Sequence, residues 1–265
     1  MRIFYGICFL LFGLVSNGQK LLRGIVLDAQ KNTPIPNASV FLNTTSVGTV
    51  TNEQGNFAMT IPNGKYELII SSIGYETNTQ IISSTDAPEF VTVKLKIKAE
   101  VMQTVIIEPY EKDGWTKWGK FFVESFIGTS SLAKDCRIKN TKVIKFRHSK
   151  TKNELSAFAD EPLIIENRAL GYTIRYQMEA FQYDFKTGYL LYAGYPFFQP
   201  MKGNSARQKR WENMRSEVYA GSIMHFMRAV YRNKTAEEGF EINPLKKIPN
   251  AEKQRVKVAY STNTR

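Results

Sequence analysis

The side chains that could perform acid–base, nucleophilic or metal chemistry are few in this chain. It has two histidines, His148 and His225. A zinc hydrolase of the His-x-x-Glu type needs a carboxylate three residues after a histidine, but Thr151 and Arg228 occupy those positions. A Gly-x-Ser-x-Gly elbow, a glycine-rich phosphate loop and a Cys-x-x-Cys pair are also absent from the sequence. We therefore predict no catalytic residues, no metal ligands and no cofactor.

One nucleophile–base pair remains open on residue types alone. Cys136 and His148 could act as a thiol nucleophile and its base. Such a pairing is generic, and a cysteine near a strand histidine is far more often structural. Glu161 and Glu166 lie on either side of Pro162 and fix no acid–base geometry. An uncharacterised hydrolase is therefore kept only as a second alternative to a protein that is not an enzyme.

Cations are the more informative charged residues. The first 110 residues carry no net charge, so residues 111–265 hold the whole excess of +12. An uneven charge of this kind indicates an acidic partner or surface, although it can also simply keep a basic domain soluble. We predict that the contact for an acidic partner is a cluster within one short stretch: Arg207, Lys209, Arg210 and Arg215.

Helical spacing predicts how this cluster is presented. Trp211, Met214 and Val218 recur at intervals of three and four, as on one face of a helix, so the cations should project into solvent. Gly221 interrupts this helix and Ser222 can cap a second one. The apolar positions of the second helix are Ile223, Phe226, Met227 and Val230.

The rest of the second half predicts an α+β domain. Aromatic residues between 115 and 126 follow the spacing of one helix face, which is typical of a helix that packs on a sheet. Residues 142–199 alternate as strands of an antiparallel meander. From residue 243 the chain is basic and polar, and we expect part of this tail to be poorly ordered.

The first half predicts short strands with turn residues about every 8–12 positions, as in a β-sandwich. An ordered set of segments carries a family resemblance: residues 24–28 (GIVLD), 34–40 (PIPNASV), 48–57 (GTVTNEQGNF), 62–66 (PNGKY) and 72–75 (SIGY). Together they resemble carboxypeptidase regulatory-like domains. The resemblance implies a transthyretin-like sandwich of about seven strands and an adaptor module that brings no catalytic residues.

Two further resemblances concern the chain as a whole. In Gram-negative bacteria the same module often precedes the plug of TonB-dependent receptors, but residues 111–265 are too few for a barrel of that kind. Residues 159–172, 194–198 and 221–226 resemble uncharacterised two-domain envelope proteins, in which a regulatory-like domain precedes an α+β domain.

The N-terminal residues predict export. Arg2 precedes an apolar run over residues 3–15, and the small residues Ser16 and Gly18 precede Gln19, which is the pattern of a cleaved signal peptide. The run is shorter than the roughly 20 residues that span a bilayer. The mature chain would keep only Cys136 and so have no internal disulfide.

We therefore predict four segments: a signal peptide at 1–18, the sandwich at 19–108, the basic α+β domain at 109–242 and a basic tail at 243–265. The protein would lie in the periplasm or at the outer membrane and bind or scaffold another envelope protein. The alternative is a binder of acidic envelope polymers or lipid headgroups through the basic domain. Export argues against nucleic acid as the partner.

Overall fold

The computed structural model describes residues 20–98, 109–246, 248 and 250–262. The predicted signal peptide and residue 108, the predicted end of the sandwich domain, lie outside the described residues. The chain divides into two compact units, Met1–Trp211 and Glu212–Arg265, which are described separately below.

The first unit begins with a two-sheet sandwich, as predicted. One sheet has the order β4-β1-β7 and the other β3-β2-β5-β6. β1 runs parallel to β7 and antiparallel to β4. The seven strands, β1 to β7 in chain order, are Lys20–Asp28, Ser39–Leu42, Gly48–Val50, Asn56–Ile61, Lys65–Ser71, Asn78–Ser83 and Phe90–Leu95.

Alternating side chains fill the space between these two sheets. Leu22 and Val26 of β1 are fully buried, as are Leu42 of β2 and Leu68 and Ile70 of β5. Burial of each such side chain contributes about 1.5–3 kcal/mol relative to exposure. The period-two pattern of the sequence therefore identified the inner face of the sandwich.

A buried carboxylate closes the end of β1. Asp28 accepts hydrogen bonds from the backbone N–H groups of Gln30 and Lys31, both at 2.8 Å, and from the hydroxyl of Tyr75 at 3.0 Å. The N–H of Lys31 is the main cause that holds the pKa of Asp28 below its ordinary value. Because these donors favour the ionised carboxylate, the folded state binds this proton less readily than the unfolded chain.

The free energy of unfolding should therefore depend on pH through Asp28. Its contribution is present above the ordinary carboxyl pKa of about 3.9 and is lost as pH falls through the lowered folded-state pKa. We expect Asp28→Asn to lower the melting temperature at neutral pH and to reduce the further drop between about pH 6 and pH 3. Thermal unfolding followed by circular dichroism checks this, and an acid-induced drop that is the same in both proteins would contradict it.

In the second part of the first unit, the helix α1 packs on an antiparallel sheet, as predicted, and two short 3-10 helices, Leu132–Asp135 and Thr141–Val143, follow α1 in the chain. The sheet has the order β8-β11-β12-β10-β9, and β13 pairs with β12. α1 spans Gly114–Phe126, and β8 to β13 span Cys136–Ile138, Ile144–Ser149, Glu154–Ala159, Leu163–Asn167, Tyr172–Asp184 and Tyr189–Pro200.

The pairing registers show that the six strands occupy four adjacent positions across the sheet, which we call the four-track sheet. In order, these positions hold β13, then β12, then β10 and β11 end to end, then β9 and β8. β10 and β11 both pair with β12 on the edge opposite β13, one near each end of β12. β9 pairs antiparallel with β10, and β8 pairs antiparallel with β11. Asn140 bridges the break between the two halves, since its side chain donates to the carbonyl of Pro162 and accepts the N–H of Ile164.

The aromatic face of α1 belongs to the core of this domain. Phe122 is fully buried, and its ring centroid lies 4.7 Å from that of Phe181 and 5.7 Å from that of Phe146. Phe126 stacks on Phe122 from the next turn, at 5.3 Å. The structure thus places these aromatics in the packing of a helix on a sheet and not on a ligand platform.

The sandwich and the four-track sheet pack against each other within the first unit. Phe41 and Ile69 are paired neighbours on the outer face of the sandwich, outside its core, yet they are 3% and 0% exposed. The ring of Phe41 lies 5.1 Å from that of Phe197 on β13. Thr77 donates to the carboxylate of Glu179 at 2.7 Å. The side chains of β12 that point away from the core beneath α1 therefore form the face that covers the sandwich.

The second unit is helical. α2, Ser205–Tyr219, begins in the first unit and ends in the second, which also contains α3, Ile223–Tyr231, and α4, Ala251–Thr262. Ser222 caps α3 as predicted, because its hydroxyl accepts the backbone N–H of His225 at 3.1 Å. α4 lies in the segment that was predicted to be a partly disordered tail, where no helix was expected.

Candidate binding surface

The sheet holds the one arguable nucleophile–base pair apart. Through the strand pairings, Cys136 on β8 aligns with Tyr172 at one end of β12, whereas His148 on β9 aligns with Tyr183 near the other end. At about 3.3 Å per residue along a strand, the two positions are on the order of 30 Å apart. Cys136 and His148 therefore cannot act on the same substrate atom.

The surroundings of each residue are also structural. Burial, followed by the neighbouring Asp135, raises the pKa of the Cys136 thiol, so the unreactive protonated form is favoured. The ring of His148 packs 5.0 Å from that of Trp118 and 5.9 Å from that of Phe185. Within the described ranges, no three His, Cys, Asp or Glu side chains are grouped so that they could hold a metal ion.

His225 has a structural role in the second unit. Its Nδ1 accepts the backbone N–H of Gly221 at 3.1 Å, and its Nε2 lies 3.0 Å from a carboxylate oxygen of Glu238. Arg232 binds the same carboxylate at 3.2 Å. These contacts tie the first turn of α3 to the segment that follows the helix.

The structure places three of the four predicted contact residues on the exposed start of α2. Arg207, Lys209 and Arg210 are exposed, and among the described residues they form no ion pair. Arg215 is half-buried and belongs to the second unit. The surface therefore consists of three cations, and we call Arg207, Lys209 and Arg210 the cationic surface.

This surface is open. Asn204, just before α2, and Ala206, Arg207 and Arg210 in its first two turns line a shallow depression of about 400 Å³. Among the described residues its lining comes from this one segment, so no small ligand would be desolvated there as in an enclosed pocket. The shape suits an extended anionic partner that neutralises several cations at once.

A buried tryptophan fixes the position of the cationic surface. Trp211 is 3% exposed, and its indole N–H donates to the carbonyl oxygen of Arg168 at 2.9 Å. A Cβ at Gly171 would lie 2.2 Å from the indole, and one at Gly203 would lie 2.9 Å from it. Gly171 also has a φ of +67°, which favours glycine. The turn between β11 and β12 therefore forms the packing site of this indole, and we call residues 168–171 the seat of Trp211.

The sequence did not reveal this seat. Helical spacing predicted that Trp211 packs inward, but its partners at 168 and 171 are distant in the chain. Two glycines without a turn dipeptide beside them, Gly171 and Gly203, were the available signal. They show where backbone must approach a large side chain closely.

α3 departs from its sequence pattern more strongly. Three of its four predicted apolar positions, Ile223, Met227 and Val230, are 83%, 58% and 45% exposed. Only Phe226 is half-buried, and the fully buried residue is Ala229. The apolar side of this helix consequently faces outward.

Comparison with known proteins identifies the class of the first domain. The CarboxypepD_reg-like domain matches residues 22–107, which contain the seven-stranded sandwich. This confirms the resemblance drawn from the sequence. No helix among the described residues is both long and apolar enough to cross a membrane.

A particular relative and one solved structure are also similar. Over 114 residues, or 40% of the chain, it is 30% identical to the TonB-dependent receptor P39 of Formosa agariphila, and the match spans only 11% of that receptor. A DUF3823 family protein from Bacteroides ovatus shares 10% identity over 70% of this chain and 83% of its own, with a TM-score of 0.24. The family match thus covers the first domain, and the chain spans a small part of the length of that receptor.

Proposed function

We propose that this chain is a non-enzymatic envelope protein that binds an acidic partner protein through the cationic surface. The observation that carries the proposal is that three neighbouring exposed cations form no ion pair among the described residues and stand on a helix start held by Trp211. Some other cations of the first unit have carboxylate partners, for example Lys117 with Glu111 and Lys145 with Asp160.

Unpaired cations in a fixed arrangement favour a specific contact. A surface salt bridge contributes little on its own, about 0–1 kcal/mol, because each side chain loses conformational freedom. When the backbone that carries several cations is already fixed, the charges act together and steer an acidic surface into register. The sandwich then serves as the rigid support of the binding domain.

An anionic envelope polymer or lipid headgroup is the second candidate. The open, shallow shape of the surface favours it equally. The two candidates differ in stoichiometry: a protein partner saturates at a fixed ratio, whereas a polymer binds many copies along its length. Crosslinking in envelope extracts, followed by sizing of the adduct, distinguishes a discrete complex from a ladder.

Charge reversal tests the cationic surface directly. We expect the triple variant Arg207→Glu, Lys209→Glu and Arg210→Glu to weaken association with envelope extracts by about tenfold or more at low salt. Association of the unmodified chain should weaken steadily as salt is added, because exposed charges are screened beyond about 8 Å at physiological ionic strength. Co-sedimentation with washed envelopes measures both effects.

The matched control reverses three exposed lysines of the sandwich, Lys65, Lys94 and Lys96, which gives the same change in net charge. We expect this control to retain most of the association, and both variants to keep the melting temperature within a few degrees. If the two variants lose binding equally, only net charge matters and the proposed site is wrong.

A further inference from the structure

An apolar stripe runs along the exposed side of α3. Its five residues are exposed by 45% or more: Ile223, Met224, Met227, Val230 and Tyr231. At about 100° per residue they fall within an arc of about 120°, so they form one continuous face. The helix rises about 1.5 Å per residue, which makes this face about 13 Å long.

The other side of α3 is fixed within the second unit. Ala229 is fully buried, and the ring of Phe226 lies 5.3 Å from that of Phe240. His225 and Glu238 hold the first turn, as described above. The outward position of the stripe is thus determined by packing, and simple rotation of the helix would break these contacts.

The charged residues of α3 and of the three residues that follow it are all positive, and two of them, Arg232 and Lys234, are paired with Glu238 and Glu237. Residues 223–234 contain Arg228, Arg232 and Lys234 but no Asp or Glu. Arg228 borders the stripe, is exposed, and within the described residues has no carboxylate partner; its guanidinium lies 5.5 Å from the ring of Tyr219. The second unit as a whole has 10 Lys and Arg against 6 Asp and Glu.

We infer that α3 lies in the surface of an anionic bilayer, with its apolar stripe among the upper acyl chains and Arg228 at the phosphates. A convex apolar face bordered by cations is the pattern of an interfacial helix, which inserts to about 5–10 Å. Tyr231, at 91% exposure, carries the amphipathic ring that favours the headgroup level. The stripe belongs to the second unit and shares no residue with the cationic surface of the first, and the inference goes beyond the proposed function.

A reporter in the stripe itself tests the inference. In the full chain with Met227→Trp, the fluorescence of the new tryptophan is obtained by subtracting the emission of the unsubstituted chain. This difference emission should shift to the blue when phosphatidylglycerol–phosphatidylethanolamine vesicles are added. Brominated lipid should quench it. The local reporter is needed because residues 3–15 are themselves apolar and could bind lipid. The control is Ile81→Trp, at a position that is 65% exposed on the sandwich, and it should be neither shifted nor quenched.

Two further variants identify the cause. With Met227→Trp in place, Ile223→Asp should reduce quenching about tenfold or more, because insertion of the stripe would then also bury the charge of the new carboxylate. Arg228→Gln should weaken binding to the anionic vesicles and leave the weaker binding to phosphatidylcholine vesicles unchanged. No quenching at position 227, equal quenching at position 81, or a blue shift that depends on protein concentration without lipid would overturn the inference.

Discussion

Trp211→Ala is expected to lower the free energy of unfolding by about 3–5 kcal/mol, the range typical of large aromatic side chains removed from a packed site. Two losses combine in this variant. The cavity left between Gly171 and Gly203 removes the contacts of the indole, and the carbonyl of Arg168 loses its donor. Urea denaturation followed by circular dichroism measures the change. Because the same indole positions α2, envelope association should fall in parallel.

Trp211→Phe is the matched variant for this site. It keeps much of the buried ring and removes the hydrogen bond to Arg168, so it should cost about 1 kcal/mol for that bond and somewhat more for the smaller ring. Gly171→Ala tests the same contact from the turn that packs on the indole. Its Cβ would clash with the indole, and the positive φ at this position strains alanine. If Trp211→Ala were nearly neutral, the indole would not be the anchor of α2.

Ile69→Asp is expected to destabilise the first unit by more than about 4 kcal/mol, because it would bury a carboxylate with no partner between the sandwich and the four-track sheet. Ile69 is fully buried although it lies outside the sandwich core. The sandwich core itself should survive, so one cooperative transition should separate into two. Differential scanning calorimetry detects such a separation.

Ile81→Asp provides the control on the same face of the same sheet. Ile81 pairs with Glu67, two residues from Ile69 along β5, but it is 65% exposed. Its replacement should change the free energy of unfolding by no more than about 0.5 kcal/mol and leave a single transition. Equal effects at positions 69 and 81 would show that the interface between the domains contributes nothing to stability.

Local periodicity was sufficient for the elements themselves. Alternation along β12 and aromatic spacing in α1 gave the correct strand and helix because each pattern spans only neighbouring residues. The continuous apolar run Leu68, Ile69 and Ile70 in β5 contained a further signal, since a strand that is apolar on both faces is covered on both faces. Alternation alone cannot say what covers the second face.

The candidate surfaces were less accessible to sequence reasoning. The cationic surface could be predicted because clustered arginines that share a helix with an inward tryptophan must project outward. The seat of Trp211 could not, because its partners are supplied by a turn about 40 positions earlier in the chain. The pattern of α3 showed an amphipathic helix but did not tell which of its sides is covered by the rest of the unit.

In the part of the chain that the structure describes, β13 pairs with β12 alone, so its other side presents backbone groups to any strand that approaches. The turn between β2 and β3 occupies part of this side, since the carbonyl of Thr45 accepts the N–H of Phe198 at 3.0 Å. The sandwich thereby shields the C-terminal part of β13 from edge-to-edge aggregation. A chain that lost the sandwich would leave this strand edge open to self-association.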